Sequence, residues 1–180
     1  MHKLLEKLSR DHRNLERILA MLTTQLDHFF AGRESNFDLK IELMEYLEAF
    51  ADQGHHPLEN LIFEVARRRI EGHDELFDRL AKQHKDLDRL TRNFRQSLEG
   101  ILHEVVMSRS ELETQGREYV ALQHLHLVLE DREVFPLLDA ELTDADWKEI
   151  SANMPRHDDP VFESPDQVRF SNLVAYLEKE

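Results

Sequence analysis

The sequence contains no cysteine. That excludes disulfide staples, thiol nucleophiles and cysteine-held iron–sulfur clusters. Five glycines and five prolines in 180 residues are few. Most fall near the ends of apolar-periodic segments, which leaves little room for sheet, hairpin turns or linkers. No stretch approaches the ~20 consecutive apolar residues of a membrane-spanning helix. The opening residues, Met1 to Asn14, have no apolar core long enough for a signal peptide. The expectation is a cytoplasmic protein with no membrane partner. Positive charge is also short: 23 Lys and Arg against 37 Asp and Glu give a formal net charge of −14. DNA or RNA would be repelled, so no nucleic-acid partner is expected. The basic cluster Arg67-Arg68-Arg69 falls near an expected helix C-terminus, where cations oppose the helix dipole.

What is present is 41% hydrophobic and 33% charged, in a chain long enough for one domain with a core. Leu4, Leu5, Leu8, Leu15, Ile18, Leu19, Leu22 and Leu26 recur at helical spacing. This first helix is predicted to stop near Gly32, in the polar stretch Gly32-Arg33-Glu34-Ser35-Asn36. A second helix is predicted from about Phe37 to Ile70, kinked at Gly54 and Pro57 because proline removes a donor and crowds the preceding turn. A third runs from about His73 to Met107, and a fourth from about Glu113 to Leu138 with Pro136 in its last turn. Thr143-Asp144-Ala145-Asp146 reads as the capped start of a short fifth helix carrying Trp147. From Met154 three prolines mark a tail that wraps the surface and ends in a short helix through Val174 and Leu177. Four long helices with short connections imply an all-α fold, an up-down-up-down four-helix bundle over residues 1–155, with residues 156–180 as a tail packed on it.

The chain also repeats itself. Residues 8–18, LSRDHRNLERI, align with residues 80–90, LAKQHKDLDRL, which matches His12 to His84 at an offset of 72. His55-x-x-x-Glu59 matches His126-x-x-x-Glu130 at an offset of 71. Helices one and two therefore repeat as helices three and four, and approximate two-fold symmetry would bring both halves of the pattern together. Residues four apart share a helix face, so each His–Glu pair presents an imidazole and a carboxylate at one level. His12 and His84 add one imidazole each. Four histidines and two glutamates suffice for two metal ions, each taking two imidazoles, with both glutamates bridging. Room remains for a bridging oxo or hydroxo and an open position. Such mixed nitrogen and oxygen ligation suits iron, and also manganese or zinc. A lone His-x-x-x-Glu pair is a common helix salt bridge. Six polar residues in register on apolar helices would be costly to bury without a metal.

These segments resemble the hemerythrin, or HHE cation-binding, family. His55-His56-Pro57-Leu58-Glu59-Asn60-Leu61-Ile62-Phe63 is similar to a stretch common in bacterial members. His126 to Pro136, HLVLEDREVFP, resembles the family's HxxxEExxxFP, and Leu142 to Trp147 also resembles family members. The resemblance implies a hemerythrin-like fold with a di-iron centre on His12, His55, Glu59, His84, His126 and Glu130. Oxygen-carrying members have His-x-x-x-His on the third helix and His-x-x-x-x-Asp on the fourth. Here Asp88 follows His84 by four, and Asp131 competes with Glu130. Helix geometry and the repeat favour Glu130. The symmetric six-ligand set is closer to members linked to repair of iron–sulfur centres. Those often carry an N-terminal cysteine-containing domain, and this sequence has no cysteine.

Around this set, Glu16 and Asp88 stand four after His12 and His84, as further ligands, orienting groups or partners of Arg17 and Arg89. Asp52 and Gln123, each three before a ligand histidine, are candidates to hydrogen-bond to it. Tyr119, two turns before His126, reads as a core or channel-lining residue. His56 and His124 are expected to point away from the site. His2, His28, His73, His103 and His157 are expected on the surface. Three functional classes follow: a redox-active di-iron protein acting on O2, NO or peroxide; a reversible O2 carrier or sensor; and a metal-storage or structural bundle.

Overall fold

A computed structural model of the chain describes residues 1–33 and 36–179; Glu34 and Ser35 of the predicted first connection lie outside them. The described residues are all-helical. Helix α1 spans Lys3–Phe30 and stops, as predicted, just before Gly32, whose φ of 71° suits a residue without a Cβ. The second helical run is α2 (Phe37–Tyr46), a π-helical segment (Leu47–His55) and α3 (His56–Arg67). The third is α4 (Asp74–Leu102). The fourth is α5 (Arg109–Leu129), a second π-helical segment (Glu130–Val134) and α6 (Phe135–Glu141). Short α7 (Asp144–Asn153) and α8 (Ser171–Leu177) follow.

Three boundaries differ from expectation. The third run stops five residues early, at Leu102. Val105 N–H bonds to Gly100 C=O and Glu104 N–H to Ile101 C=O, a Schellman cap with Glu104 at φ 64°. Such caps normally carry glycine, so the stop is unsigned in the sequence. The fourth run starts early, at Arg109, because the Ser108 side chain accepts from Glu111 N–H. It continues through Glu141, so Pro136 lies at the start of α6 and not in a last turn. The expected kink at Gly54 and Pro57 is instead a nine-residue π segment. Each π segment ends two residues before a proline, with His56 N–H reaching Ala51 C=O and Phe135 N–H reaching Glu130 C=O. Widening the turn makes room for a proline ring that would crowd a normal α-turn.

Packing joins α4 to α5, α1 to α5, and α2 to α4. The apolar interior forms two clusters. One contains Leu15, Ile18, Leu22, Phe50, Leu87, Phe94 and Tyr119; the other contains Leu8, Ile62, Phe63, Phe77, Leu80, Val134 and Phe135. On α1, His12 falls between Leu8 and Leu15, and on α4, His84 falls between Leu80 and Leu87. A polar layer thus divides the core in two. Thr143 caps α7 with the predicted reciprocal box to Asp146. The C-terminal segment returns to the core through Phe170 and Leu173, and Tyr46 donates to Asp159 at 2.9 Å. No helix among the described residues is long and apolar enough to cross a membrane.

Candidate metal centre

The six residues selected by spacing converge in that polar layer. Glu59, Glu130 and His126 have no exposed surface, and His12, His55 and His84 are 1%, 3% and 5% exposed. The histidines pair within each half of the repeat: His12 Nε2 lies 3.1 Å from His55 Nε2, and His84 Nε2 lies 3.0 Å from His126 Nε2. Glu59 stands between the pairs, with Oε1 3.0 Å from His55 Nε2 and Oε2 3.4 Å from His84 Nε2. Glu130 Oε2 lies 3.4 Å from His12 Nε2 and 3.2 Å from His126 Nε2. Two groups result whose ligand atoms could share an ion: His12, His55, Glu59 and Glu130, and His56, Glu59, His84 and His126. All four carboxylate oxygens of Glu59 and Glu130 are buried without a hydrogen-bond partner among the described residues. Buried carboxylates left so are costly unless cations face them, so this donor set fits a metal site.

Each imidazole is held from behind at Nδ1. His55 Nδ1 faces Asp11 at 3.4 Å, His84 Nδ1 faces Asn60 at 2.8 Å, His126 Nδ1 faces Gln83 at 3.1 Å, and His12 Nδ1 faces Asp131 at 3.0 Å. With each Nδ1–H donating outward, every Nε2 lone pair points into the centre. The bonds close a ring: the first helical run orients the second, the second the third, the third the fourth, and the fourth the first. Asp131, which competed with Glu130 on spacing, lies outside the centre with a 44% exposed side chain.

Electrostatics sharpen this picture. Burial opposes charge on His12, but its contacts with Asp131, Glu130 and Glu59 outweigh it and hold the ring well above its ordinary value. Burial likewise opposes charge on His55, and Glu59 and Asp11 reverse it. His84 is raised to about 9 by the two glutamates against its burial. For His126 burial wins, and its value falls to about 4 despite Glu130. Burial would raise Glu59, yet the surrounding imidazoles hold it well below the usual carboxylate range. Protons on His12, His55 and His84 and charge on the glutamates therefore balance one another, and these imidazoles would have to give up their protons to hold a cation.

Several sequence expectations are corrected. His56 does not point away: it is buried, stacks on His84 at 4.3 Å, and has no hydrogen-bond partner on either nitrogen among the described residues. The π segment explains it, since a wider turn rotates successive residues less and turns both His55 and His56 inward. Asp52 faces His56 Nδ1 at 3.3 Å, not His55, and burial pushes its carboxyl up to about 7. Gln123 accepts from the core residue Tyr119 at 3.5 Å, not from His126. Glu16 pairs with His124, and Asp88 with Arg92. His2 stacks on Trp147 at 4.2 Å, and His157 packs on Phe50 at 5.6 Å, so neither is a plain surface residue. The orienting residues Asp11, Gln83 and Asn60 were missed. Their signal was in the repeat, where Asp11 aligns with Gln83 and Asn60 with Asp131, each adjacent to a ligand candidate.

An all-helical protein with a buried histidine–glutamate cluster of this composition is a metal-binding helical protein in class. The model of the hemerythrin HHE cation binding domain matches residues 3–149, and the chain belongs to that family. A search of curated proteins finds no match.

Proposed function

We propose that this chain holds a non-haem di-iron centre that binds or reacts with O2, NO or peroxide. The observation that carries this reading is the pair of four-ligand groups sharing Glu59, with four unpartnered buried carboxylate oxygens between four inward-facing imidazoles. We further take the fold as an up-down-up-down four-helix bundle over residues 1–155, with residues 156–180 folded onto it. His12 and His55 would hold one ion and His84 and His126 the other, with Glu59 and Glu130 bridging. Two iron ions so held supply one-electron redox chemistry and open coordination positions for a small ligand. The chain's own part is to fix imidazole orientation through Asp11, Asn60, Gln83 and Asp131, and to shield the centre between two apolar clusters.

A cavity of about 440 Å³ reaches the His84 side and is lined by Asp52, His56, Asn60, Phe63, His84 and Lys85 among others. It offers a small ligand a way in. The test is metal analysis of protein from iron-supplemented cells, with absorption spectra before and after reduction and exposure to O2, NO and peroxide. Two irons per chain and a charge-transfer band that responds to reduction support the reading. Turnover would mark an enzyme, and a stable reversible spectrum an O2-binding module. A site that takes zinc alone, with no response, would leave metal storage or structure as the role.

A further inference from the structure

The pseudo-symmetric ring of hydrogen bonds is not symmetric in charge. His12 and His55 are backed by two carboxylates, Asp131 and Asp11. His84 and His126 are backed by two neutral amides, Asn60 and Gln83. A carboxylate behind an imidazole makes the opposite nitrogen a stronger donor, because its charge stabilises the positive charge that metal binding draws onto the ring. An amide oxygen orients the ring without that charge. Lys7 draws off part of the Asp11 charge at 3.1 Å, and Asp131 is half-exposed, so both carboxylates act below full strength. Each still carries charge that no amide has.

Access is unequal in the same sense. The His12–His55 side is covered by the C-terminal segment: His157 packs on Phe50 and over Gly54, where a Cβ would lie 1.9 Å from its ring. The His84–His126 side meets the cavity of about 440 Å³, which His84 and Asn60 both line. His56, stacked on His84 with Nε2 unpartnered and Nδ1 facing Asp52 at 3.3 Å, stands there as a spare imidazole.

We propose that the two metal positions are built unequal: the carboxylate-backed, covered His12–His55 position is the tight one, and the amide-backed, cavity-facing His84–His126 position is the weaker, exchangeable one. This rests on the two-ion reading above.

The test is anaerobic titration of metal-free protein with Co2+, followed by its visible absorption and by metal analysis after desalting. Wild type is expected to fill in two steps whose affinities differ by roughly 10-fold or more, the scale on which such orienting partners act. His126→Ala should keep the tight step and lose the weak one, and His55→Ala the reverse. The near-isosteric pair Asp11→Asn and Asp131→Asn should weaken the first step by roughly 10–100-fold and merge the two. Asn60→Asp with Gln83→Glu should tighten the second. Helical content by circular dichroism confirms that each variant folds, and the last pair, a gain, cannot arise from misfolding. Two equal steps in wild type, or a tight step that survives His55→Ala, would overturn the proposal while leaving a two-metal centre standing. One ion per chain, lost in His55→Ala and kept in His126→Ala, would support the inequality and overturn the two-ion reading. No binding at all would overturn both.

Discussion

Glu59→Gln is the substitution on which the site depends most. The side chain keeps its shape and loses one charge. In the folded protein that charge faces His55 Nε2 at 3.0 Å, His84 Nε2 at 3.4 Å and His12 Nε2 at 3.5 Å, all of them buried. Removing one partner from a buried ion pair costs about 3–5 kcal/mol, because the remaining charge stays desolvated. In a chain of this size that corresponds to a melting temperature lower by roughly 6–20 °C. The imidazoles can shed protons to relieve the loss, so the drop should be smaller at pH 9 than at pH 7. With metal present the effect grows, since Glu59 belongs to both ligand groups. Metal content should fall to about one ion per chain or fewer, and the stabilisation by metal should shrink with it. The assay is thermal unfolding with and without chelator at both pH values, beside metal analysis. A variant with full metal content and an unchanged melting temperature would refute both the burial argument and the bridging role.

Two further outcomes follow from the same structure. Gly54→Ala sets a Cβ against the His157 ring at 1.9–2.4 Å, so the tail must lift, at a cost of about 1–3 kcal/mol; urea unfolding should show the loss in the single variant and its recovery in Gly54→Ala with His157→Ala. The metal-free protein should lose stability from pH 7 to pH 9. Folded His84 keeps its proton to about 9 against 6.5 when unfolded, so its contribution is complete below 6.5 and gone above 9. His12 and His55, also raised, act in the same direction. Metal-loaded protein should not share this trend, because the ion has displaced those protons; a flat or rising metal-free curve would show that the imidazoles are neutral in the fold.

Helix identity, the capped start at Thr143 and the convergence of His12, His55, Glu59, His84, His126 and Glu130 were legible because each rests on local periodicity or on the internal repeat. A step of four on a helix keeps the face whatever lies around it. The choice of Glu130 over Asp131 follows from the same rule. The end of α4 at Leu102 was not legible, because its left-handed cap is occupied by Glu104, a residue type that does not announce a stop.

What the amino-acid order determined by itself was therefore the set of ligand candidates and the class of fold. Only the tertiary structure decided which imidazoles lie side by side, that His56 turns inward, and that carboxylates back one pair and amides the other. The physical reason is reach. A residue beside a ligand on its own helix points about 100° away, and its partner is settled by the neighbouring helix that packs there. The π segment before Pro57 adds to this, because the wider turn brings the neighbours His55 and His56 both inward, a rotation that a step of four along an α-helix does not describe.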